Sequence, residues 1–241
     1  IEKGANKWNK GMKAAARGGH KDLVLFFISK GAKKWESAQF AAAQGGHKDL
    51  VLFFFRKGAK DWNWVLKAAA RGGHKDLVEF CIDKDADNWN QAMKCAARGG
   101  HKDLVDLFIS EGGNNFHECM YAAARGGHKE LVIFFINYPA TKWYLEIVYN
   151  DENWGKGMLY AARGGHKELV LFFIKKRANR WNSGMIRAAR GGHKELVDFF
   201  IEKGADDWNL GMYAAARGGH TDLVNFLREM KALNKVEINL F

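Results

Sequence analysis

ARGGHKELV, residues 162–170, recurs without change at 124–132 and 189–197 and with one or two changes at five further places. The motif histidines lie 27 residues apart, except for one interval of 38 residues. They are His20, His47, His74, His101, His128, His166, His193 and His220. Self-similarity at a fixed period predicts a tandem array in which each repeat packs on its neighbours.

Each repeat has the pattern of two short helices joined by a glycine pair. In residues 61–85, Asp61 has the side chain of an N-cap, and Gly72 and Gly73 are expected to end a first helix. A second helix is predicted over about 75–84, because its apolar residues cover more than one helix face. The pattern therefore predicts an all-α solenoid of about eight helix-turn-helix repeats.

A further position in the first helix, two residues after the Asn of the Trp-Asn pair, is mostly small. It holds Gly11, Ala38, Val65, Ala92, Cys119, Gly157, Gly184 and Gly211. We expect these small side chains to let adjacent first helices approach closely. The next residue is methionine in six repeats, and we expect it to fill the core.

The composition limits the class of protein. Hydrophobic residues make up 47% of the chain, which is enough for a buried core, and no apolar run is long enough to span a bilayer. The net charge of +11 keeps an acidic partner in consideration. Three cysteines without metal-like spacing predict free thiols in a reducing compartment, so we expect a cytoplasmic protein without membrane contact.

Residues 188–209, AARGGHKELVDFFIEKGADDWN, resemble the ankyrin repeat, whose pattern is AAxxGHxxxVxxLLLxxGAxxN. Two departures from that family stand out. The period is 27 residues where ankyrin repeats have about 33, and stretches such as LGMY at 210–213 replace the TPLH signature. The missing residues fall on the loop between repeats, so the β-hairpin finger is expected to be absent. The short repeats are similar to ankyrin-like arrays of giant viruses of amoebae.

The repeat phase also predicts the domain organisation. Residues 1–241 are expected to form a single repeat domain, interrupted by an insertion at about 144–154 that accounts for the long interval. The segment IEKGA at 1–5 is identical to 201–205, so the chain as given is expected to start inside a repeat. The polar residues at about 221–241 are expected to form a terminal cap.

The eight histidines raise the question of metal binding or acid–base chemistry. Neighbouring repeats lie about 8–10 Å apart, whereas zinc requires ligands within about 2.1 Å of one ion. Equivalent histidines therefore cannot share a metal, and no nucleophile–base pair recurs with them. We expect no catalytic residues, no metal site, no cofactor and no small-molecule substrate. The family resemblance implies instead that each histidine bonds loop backbone at the helix start.

Arginine occupies one position in seven repeats, as Arg17, Arg71, Arg98, Arg125, Arg163, Arg190 and Arg217. By resemblance this position borders the concave face of ankyrin arrays. A row of guanidinium groups there is a candidate ladder for a polyanion. The alternative is a structural ladder, in which each arginine pairs with the acid found five residues later.

Two other first-helix positions differ from repeat to repeat and are candidates for recognising a partner. Variation in a monotonous array marks positions that are free from packing. The candidate partner-binding residues at these positions are Lys13, Phe40, Trp64, Lys67, Gln91, Lys94, Glu118, Tyr121, Lys156 and Tyr213. The aromatic members have the side chains that dominate protein interfaces.

These observations favour a non-catalytic scaffold that binds a protein partner on its concave helical face. The alternative is a nucleic-acid-binding, polyanion-binding or virion-associated structural protein that uses the arginine row and the lysine that follows seven of the eight motif histidines. The acids interleaved with these cations argue against a continuous basic track. If the source is viral, the expected location is the host-cell cytoplasm or the virion.

Overall fold

The computed structural model describes residues 2–139 and 151–238, and the side chains of 7–139 and 153–233. Every element with described bounds is an α-helix, and the helices alternate between a first and a second helix of each repeat. The first helices are α1 Glu2–Arg17, α3 Trp35–Gln44, α5 Trp62–Gly72, α7 Trp89–Gly99, α9 Phe116–Gly126, α11 Asp151–Gly164, α13 Trp181–Gly191 and α15 Trp208–Gly218. The second helices are α2 Lys21–Ser29, α4 Lys48–Arg56, α6 Lys75–Ile82, α8 Lys102–Ser110, α10 Lys129–Asn137, α12 Lys167–Lys175, α14 Lys194–Glu202 and α16 Thr221–Ile238. The predicted all-α repeat architecture is confirmed.

The helices form two compact parts, Ile1–Asn115 and Phe116–Phe241. In the first part, α1, α3, α5 and α7 pack on one another in sequence order. In the second part, α9, α11, α13 and α15 do the same, and α16 packs on α15. Each part is therefore a stack of helix pairs, as translation of the repeat predicts.

The predicted boundaries at the insertion and the two ends depend on segments that are only partly described. Residues 144–150 of the predicted insertion lie outside the described residues, and 151–154 begin α11. Residues 2–5 belong to α1, although the identical residues at 202–205 end α14 and enter the turn after it. Residues 221–238 of the predicted cap form one continuous helix, α16.

The ends of the first helices are set by local chemistry. The carboxylate of Asp61 accepts the backbone N–H of Trp64 at 2.9 Å, which confirms the predicted N-cap of α5. At the other end Gly73 has φ +80°, and its N–H donates to carbonyl oxygens of the last turn. Only the second glycine of the pair requires the left-handed conformation.

The first glycine of the pair is needed for close packing between repeats. A Cβ atom on Gly72 would collide with the backbone carbonyl oxygen of Gln44 in the preceding repeat and with the ring of His74. A Cβ on Gly191 would meet the carbonyl oxygen of Arg163 in the same way. Backbone atoms cannot move aside as a side chain can, so this position excludes every other residue.

Short turns connect one repeat to the next, and the described residues contain no strand, as the absence of the β-hairpin finger predicts. Most of these turns contain a glycine with positive φ, such as Gly58 at +109° and Gly204 at +94°. Asp85 at +59° and Arg177 at +71° occupy the same position in their repeats. A left-handed conformation disfavours residues with a Cβ, and arginine more than aspartate.

The core lies between the two helix layers and consists of alanine and methionine from the first helices with leucine, valine and phenylalanine from the second. Phe108, Phe173 and Phe200 are fully buried, and so are Met93 and Met158, as expected. Burial of one such phenylalanine contributes about 2–3 kcal/mol relative to leaving it exposed.

The small residue of the first helix has a different purpose from the one predicted. A Cβ on Gly184 would come within 2.5 Å of the ring of Phe200, which belongs to the second helix of the same repeat. Gly157 faces Phe173 in the same way. The small residue therefore makes room for a phenylalanine inside the repeat, and the prediction that it serves contact between first helices is wrong for these glycines.

The motif histidines link a repeat to the preceding one, as His47, His74, His101, His166 and His193 do. The Nε2 atoms of His74, His101 and His193 lie 2.9–3.2 Å from carbonyl oxygens at the ends of the preceding first helices. A carbonyl oxygen only accepts a hydrogen bond, so Nε2 carries the proton. The structural role is as expected, but the acceptor is the preceding helix end and not the loop at the histidine's own helix start.

The asparagine after the tryptophan forms a second link, to the following repeat. Oδ1 of Asn63 accepts the backbone N–H groups of Asp87 at 3.1 Å and Asn88 at 3.0 Å. Oδ1 of Asn182 accepts those of Asp206 at 2.8 Å and Asp207 at 3.0 Å. One side chain thus satisfies two donors in the turn ahead of it. The sequence pattern shows the asparagine but not this function.

Candidate binding surface

The variable residues and the arginine of each repeat share one face of the first helix. In α1 they are Lys10, Lys13 and Arg17, and their spacings of three and four residues place them on one side of a helix. Ala15 and Ala16, which lie between them in sequence, are buried. We call the corresponding surface of all first helices the first-helix face.

The predicted partner-binding residues differ in exposure. Trp64 is 48% exposed and Tyr213 is 60% exposed, whereas Tyr121 is only 5% exposed. Lys13, Gln91 and Lys156 are exposed. The half-buried members are Phe40, Lys67, Lys94 and Glu118.

Trp64 is held in place by its neighbours on the first-helix face. The rings of Phe40 and Trp64 meet edge to face with centroids 5.7 Å apart. Nζ of Lys67 lies 5.5 Å from the centroid of the Trp64 ring, within range of a cation–π contact. A large exposed ring that is already ordered loses little conformational freedom when a partner binds it.

Tyr121 belongs to the packing of the second part. Its ring stacks on Tyr160 with centroids 5.3 Å apart and an interplanar angle of 4°. Its hydroxyl donates to Oδ1 of Asn153 at 3.0 Å. Variation at this position predicted an exposed anchor, and the burial of Tyr121 contradicts that expectation.

The arginine row does not form the expected pairing ladder. Among the described residues, salt bridges join lysines to acids four positions later in the second helices, as in Lys102–Asp106 and Lys194–Asp198. Arg17 instead donates to Oε1 of Gln44 at 2.9 Å. No carboxylate pairs with Arg71, Arg163, Arg190 or Arg217 in the part of the chain that the structure describes.

The lysines that follow the motif histidines, called the lysine row, contact aromatic rings of the next repeat, as Lys48 and Lys194 do. Nζ of Lys48 lies 3.9 Å from the ring centroid of Phe80 in the next repeat, and Nζ of Lys194 lies 4.5 Å from that of Phe226. These lysines stand at the starts of second helices and cover aromatic rings there. The lysine and arginine rows therefore lie on different helices and have different contacts.

The fold separates charges that are interleaved in the sequence. The acids five residues after the arginines all lie in the first turns of second helices, as Asp76 does in α6 and Glu195 in α14. The described positions of the first-helix face carry mainly arginine and lysine, with Glu118 as their acid. The argument from interleaved acids against a basic surface therefore does not hold in three dimensions.

Arg163 lies close to other positive charges on the first-helix face. Burial lowers the pKa of its guanidinium, and the positive charges of Arg190 and Arg187 lower it further. Arg187 stands where most repeats have an alanine, such as Ala68 and Ala214. Like charges that are gathered without a counter-charge favour the binding of an anion.

The second part has grooves on the first-helix face. A cavity of about 250 Å³ is lined by Tyr121, Leu159, Tyr160 and Arg163, among others. Tyr160 and Arg187 both replace the first alanine of the Ala-Ala-Ala run, which was not among the predicted variable positions. Their departure from alanine was the signal that could have revealed the groove.

No group of three histidine, cysteine, aspartate or glutamate side chains in residues 2–139 and 151–238 is arranged to hold a metal ion. Burial lowers the pKa of His166, which favours the neutral ring that bonds Arg125. Burial also raises the pKa of Cys81 to about 12, so this thiol stays protonated.

Comparisons with known proteins agree with the architecture. The family model for ankyrin repeats, in three copies, matches residues 40–118 and 158–240, which is more than half of the chain. A search of curated proteins finds no significant match. None of the described helices has the length and apolar character needed to cross a membrane.

Proposed function

Because this chain belongs to the ankyrin-repeat family, whose members generally mediate protein–protein interactions, we propose that it is a non-catalytic scaffold that binds a protein on its first-helix face. This is the face that is concave in ankyrin arrays. The observation that carries the proposal is the exposure of Trp64, Leu210 and Tyr213, at 48–60%, at variable positions of that face. Large apolar side chains in a polar surround are typical of interface anchors.

The charges around these anchors support a protein partner with acidic groups. Lys67 lies over Trp64, and the guanidinium of Arg217 lies 5.8 Å from the ring centroid of Tyr213. Each anchor thus combines an apolar surface with a cation, which suits a partner that presents an apolar side chain beside a carboxylate. The basic first-helix face also speeds the encounter with such a partner.

Affinity capture from the native cell, with paired variants, tests this proposal. Trp64→Ala and Tyr213→Ala remove the first-helix anchors. Leu25→Ala and Leu171→Ala are the matched controls, because these residues are 44% and 40% exposed but lie on second helices. We expect a protein that wild type and controls retain and the anchor variants lose, with affinity reduced about thirtyfold by one anchor. Retention by all four variants contradicts the proposal.

Nucleic-acid or polyanion binding, including a structural role in a virion, is the second candidate. The separation of carboxylates onto the second helices favours it. Titration of duplex DNA against salt tests it, because neutralisation of phosphates predicts a steep fall in affinity as salt rises. Absence of binding at low salt contradicts this candidate and leaves the protein-binding proposal intact.

The short period of the repeat supports a proposal for where the protein is located. The 27-residue repeats resemble arrays from giant viruses of amoebae, which supports a place in the host-cell cytoplasm or the virion. An antibody against the chain, applied to purified virions and to host cytoplasm after infection, measures this. Detection in neither fraction contradicts the proposed location.

A further inference from the structure

The first-helix face of the second part contains cavities that are lined by residues of several repeats. The cavity of about 250 Å³ adjoins a second one of about 430 Å³, and both are lined by Leu159 and Arg187. The shared residues place the two cavities side by side, and we call them together the groove, which is lined by residues of α9, α11, α13 and α15. Ligand sites typically have volumes of about 300–1,000 Å³.

The groove is strongly cationic. Arg163 lines the first cavity, Arg190 and Arg217 line the second, and Arg187 lines both. In the described structure none of these four is paired with a carboxylate. Glu118 is the acid that lines the first cavity. Burial lowers the pKa of Arg163, and the neighbouring charges of Arg190 and Arg187 lower it further. Cations outnumber the acid along the groove, so a bound anion supplies counter-charge, and guanidinium forks suit carboxylates.

The walls between the arginines are apolar, which distinguishes a peptide from a nucleic acid. Leu159, Ile186 and Leu210 line the groove beside the cations. Stacking of bases needs free aromatic faces. The Tyr160 ring is already stacked on Tyr121, whereas Tyr213 is 60% exposed with Arg217 over its ring. With one exposed ring beside three aliphatic side chains, the groove fits apolar side chains better than a run of stacked bases.

The spacing of the arginines also fits an extended peptide. Arg163, Arg190 and Arg217 occupy the same position in consecutive first helices. Packed helices lie about 8–10 Å apart. An extended polyproline-II chain advances about 3.1 Å per residue with three residues per turn, so every third side chain lies on the same face, about 9 Å further along. Every third residue of a peptide that crosses the helices therefore meets the next arginine.

We propose that this groove binds an extended peptide with acidic residues at every third position and apolar residues between them. The acidic side chains bind Arg163, Arg190 and Arg217, Arg187 adds a second cation for the carboxylates at Arg163 and Arg190, and the apolar side chains contact Leu159 and Ile186. The inference rests on the proposed scaffold function and specifies the chemistry of one segment of the partner.

A labelled peptide, Asp-Leu-Ser-Asp-Leu-Ser-Asp, tests the inference by fluorescence anisotropy with the full chain. Arg187→Ala is the decisive variant, since alanine is the residue that most repeats have there, and circular dichroism confirms that the fold is kept. We expect affinity to fall by about tenfold or more and to weaken with salt. Arg71→Ala is the matched control, because Arg71 has the arginine-row position in the first part, and we expect it to bind as wild type does.

Two further peptides and one nucleic acid complete the test. Replacing Asp by Asn in the peptide removes the charges, and grouping the three Asp residues together keeps the charge but breaks the spacing. We expect the first to abolish binding and the second to weaken it. Equal binding of the Asn peptide, no effect of Arg187→Ala, or tighter competing binding of single-stranded oligothymidylate overturns the inference.

Failure here is distinguishable from failure of the scaffold proposal. If capture of a partner depends on Trp64 and Tyr213 while the acidic peptide does not bind, only the acidic-peptide inference is wrong. If the peptide binds through Arg187 while the anchor variants capture as wild type does, the groove is correct and the assigned anchors are wrong.

Discussion

Helices α5 and α13 occupy the same position in two repeats, one in each compact part, and they differ in an instructive way. Both carry the asparagine that binds the following turn, Asn63 and Asn182, and both end with a glycine that packs on the preceding repeat. The residue in the middle of the helix is Ala68 in α5 and Arg187 in α13. In these two repeats the contacts with neighbouring repeats are therefore the same, while a single position of the first-helix face changes the chemistry of the surface.

This difference shows which residues a repeat can vary. Ala68 is buried, whereas Arg187 is exposed and lines a groove. Glu36, His117 and Gly155 replace the asparagine in three repeats, so this asparagine is dispensable in places. The free energy of unfolding of a stacked array is close to a sum over its repeats and their interfaces. Loss of one link therefore lowers it only by the contribution of that link.

The largest predicted effect tests whether the two parts have equivalent cores. Phe108→Ala in the first part and Phe200→Ala in the second each remove a fully buried ring. We expect each to lower the free energy of unfolding by about 3–5 kcal/mol. Urea unfolding followed by circular dichroism measures both. Costs that differ by more than a factor of two would show that the cores are not equivalent.

The next effect concerns the small residue that faces the phenylalanine. Gly184→Val places a side chain against the Phe200 ring, and we expect a loss of about 1–3 kcal/mol. The third repeat already has Val65 at this position and Cys81 in place of the phenylalanine, both fully buried.

Adding Phe200→Cys to Gly184→Val therefore recreates the arrangement of the third repeat. We expect the double variant to be more stable than the sum of the two single effects predicts, because the two side chains share one volume. Urea unfolding of the four proteins in the double-mutant cycle measures the coupling. Simple additivity would mean that Val65 and Cys81 do not compensate each other.

A smaller effect is predicted for the asparagine link. Asn63→Ala and Asn182→Ala each remove the acceptor of two backbone N–H groups in an exposed turn. Water can replace the acceptor there, so we expect a loss of about 1–2 kcal/mol. Native-state hydrogen exchange of the two following turns measures it. Protection that is unchanged in both variants contradicts a stabilising role for the link.

The smallest effect is a gain in stability at the turns. Arg177→Gly and Asp85→Gly relieve positive φ angles of 71° and 59°. We expect Arg177→Gly to stabilise the fold by about 0.5–1 kcal/mol, since the relief of strain exceeds the added flexibility of the unfolded chain. The gain from Asp85→Gly should be smaller because aspartate tolerates this conformation. Thermal unfolding compares the two, and a loss of stability in Arg177→Gly contradicts the prediction.

Much of the fold was predictable because its signals are local. The N-cap of Asp61, the helix pairs and the buried methionines follow from residues within one repeat. The surface was predictable only in part. Trp64 and Tyr213 are exposed as variation suggested, but Tyr121 is buried under a tyrosine from the next repeat. Variation identifies positions outside the repeated core pattern, and it does not show what a neighbouring repeat places over them.

By itself the sequence determined the period, the two helices of each repeat and the residues of the core, because capping, glycine conformations and hydrophobic periodicity act over a few residues. Only the tertiary structure decided the acceptor of each histidine, the donors bound by each asparagine and the separation of arginines from acids. These depend on atoms about 24–30 residues apart in the chain, as in Asn63 with Asp87 and His74 with Gln44. The groove around Arg187 has the same origin, since it exists only where consecutive first helices pack side by side.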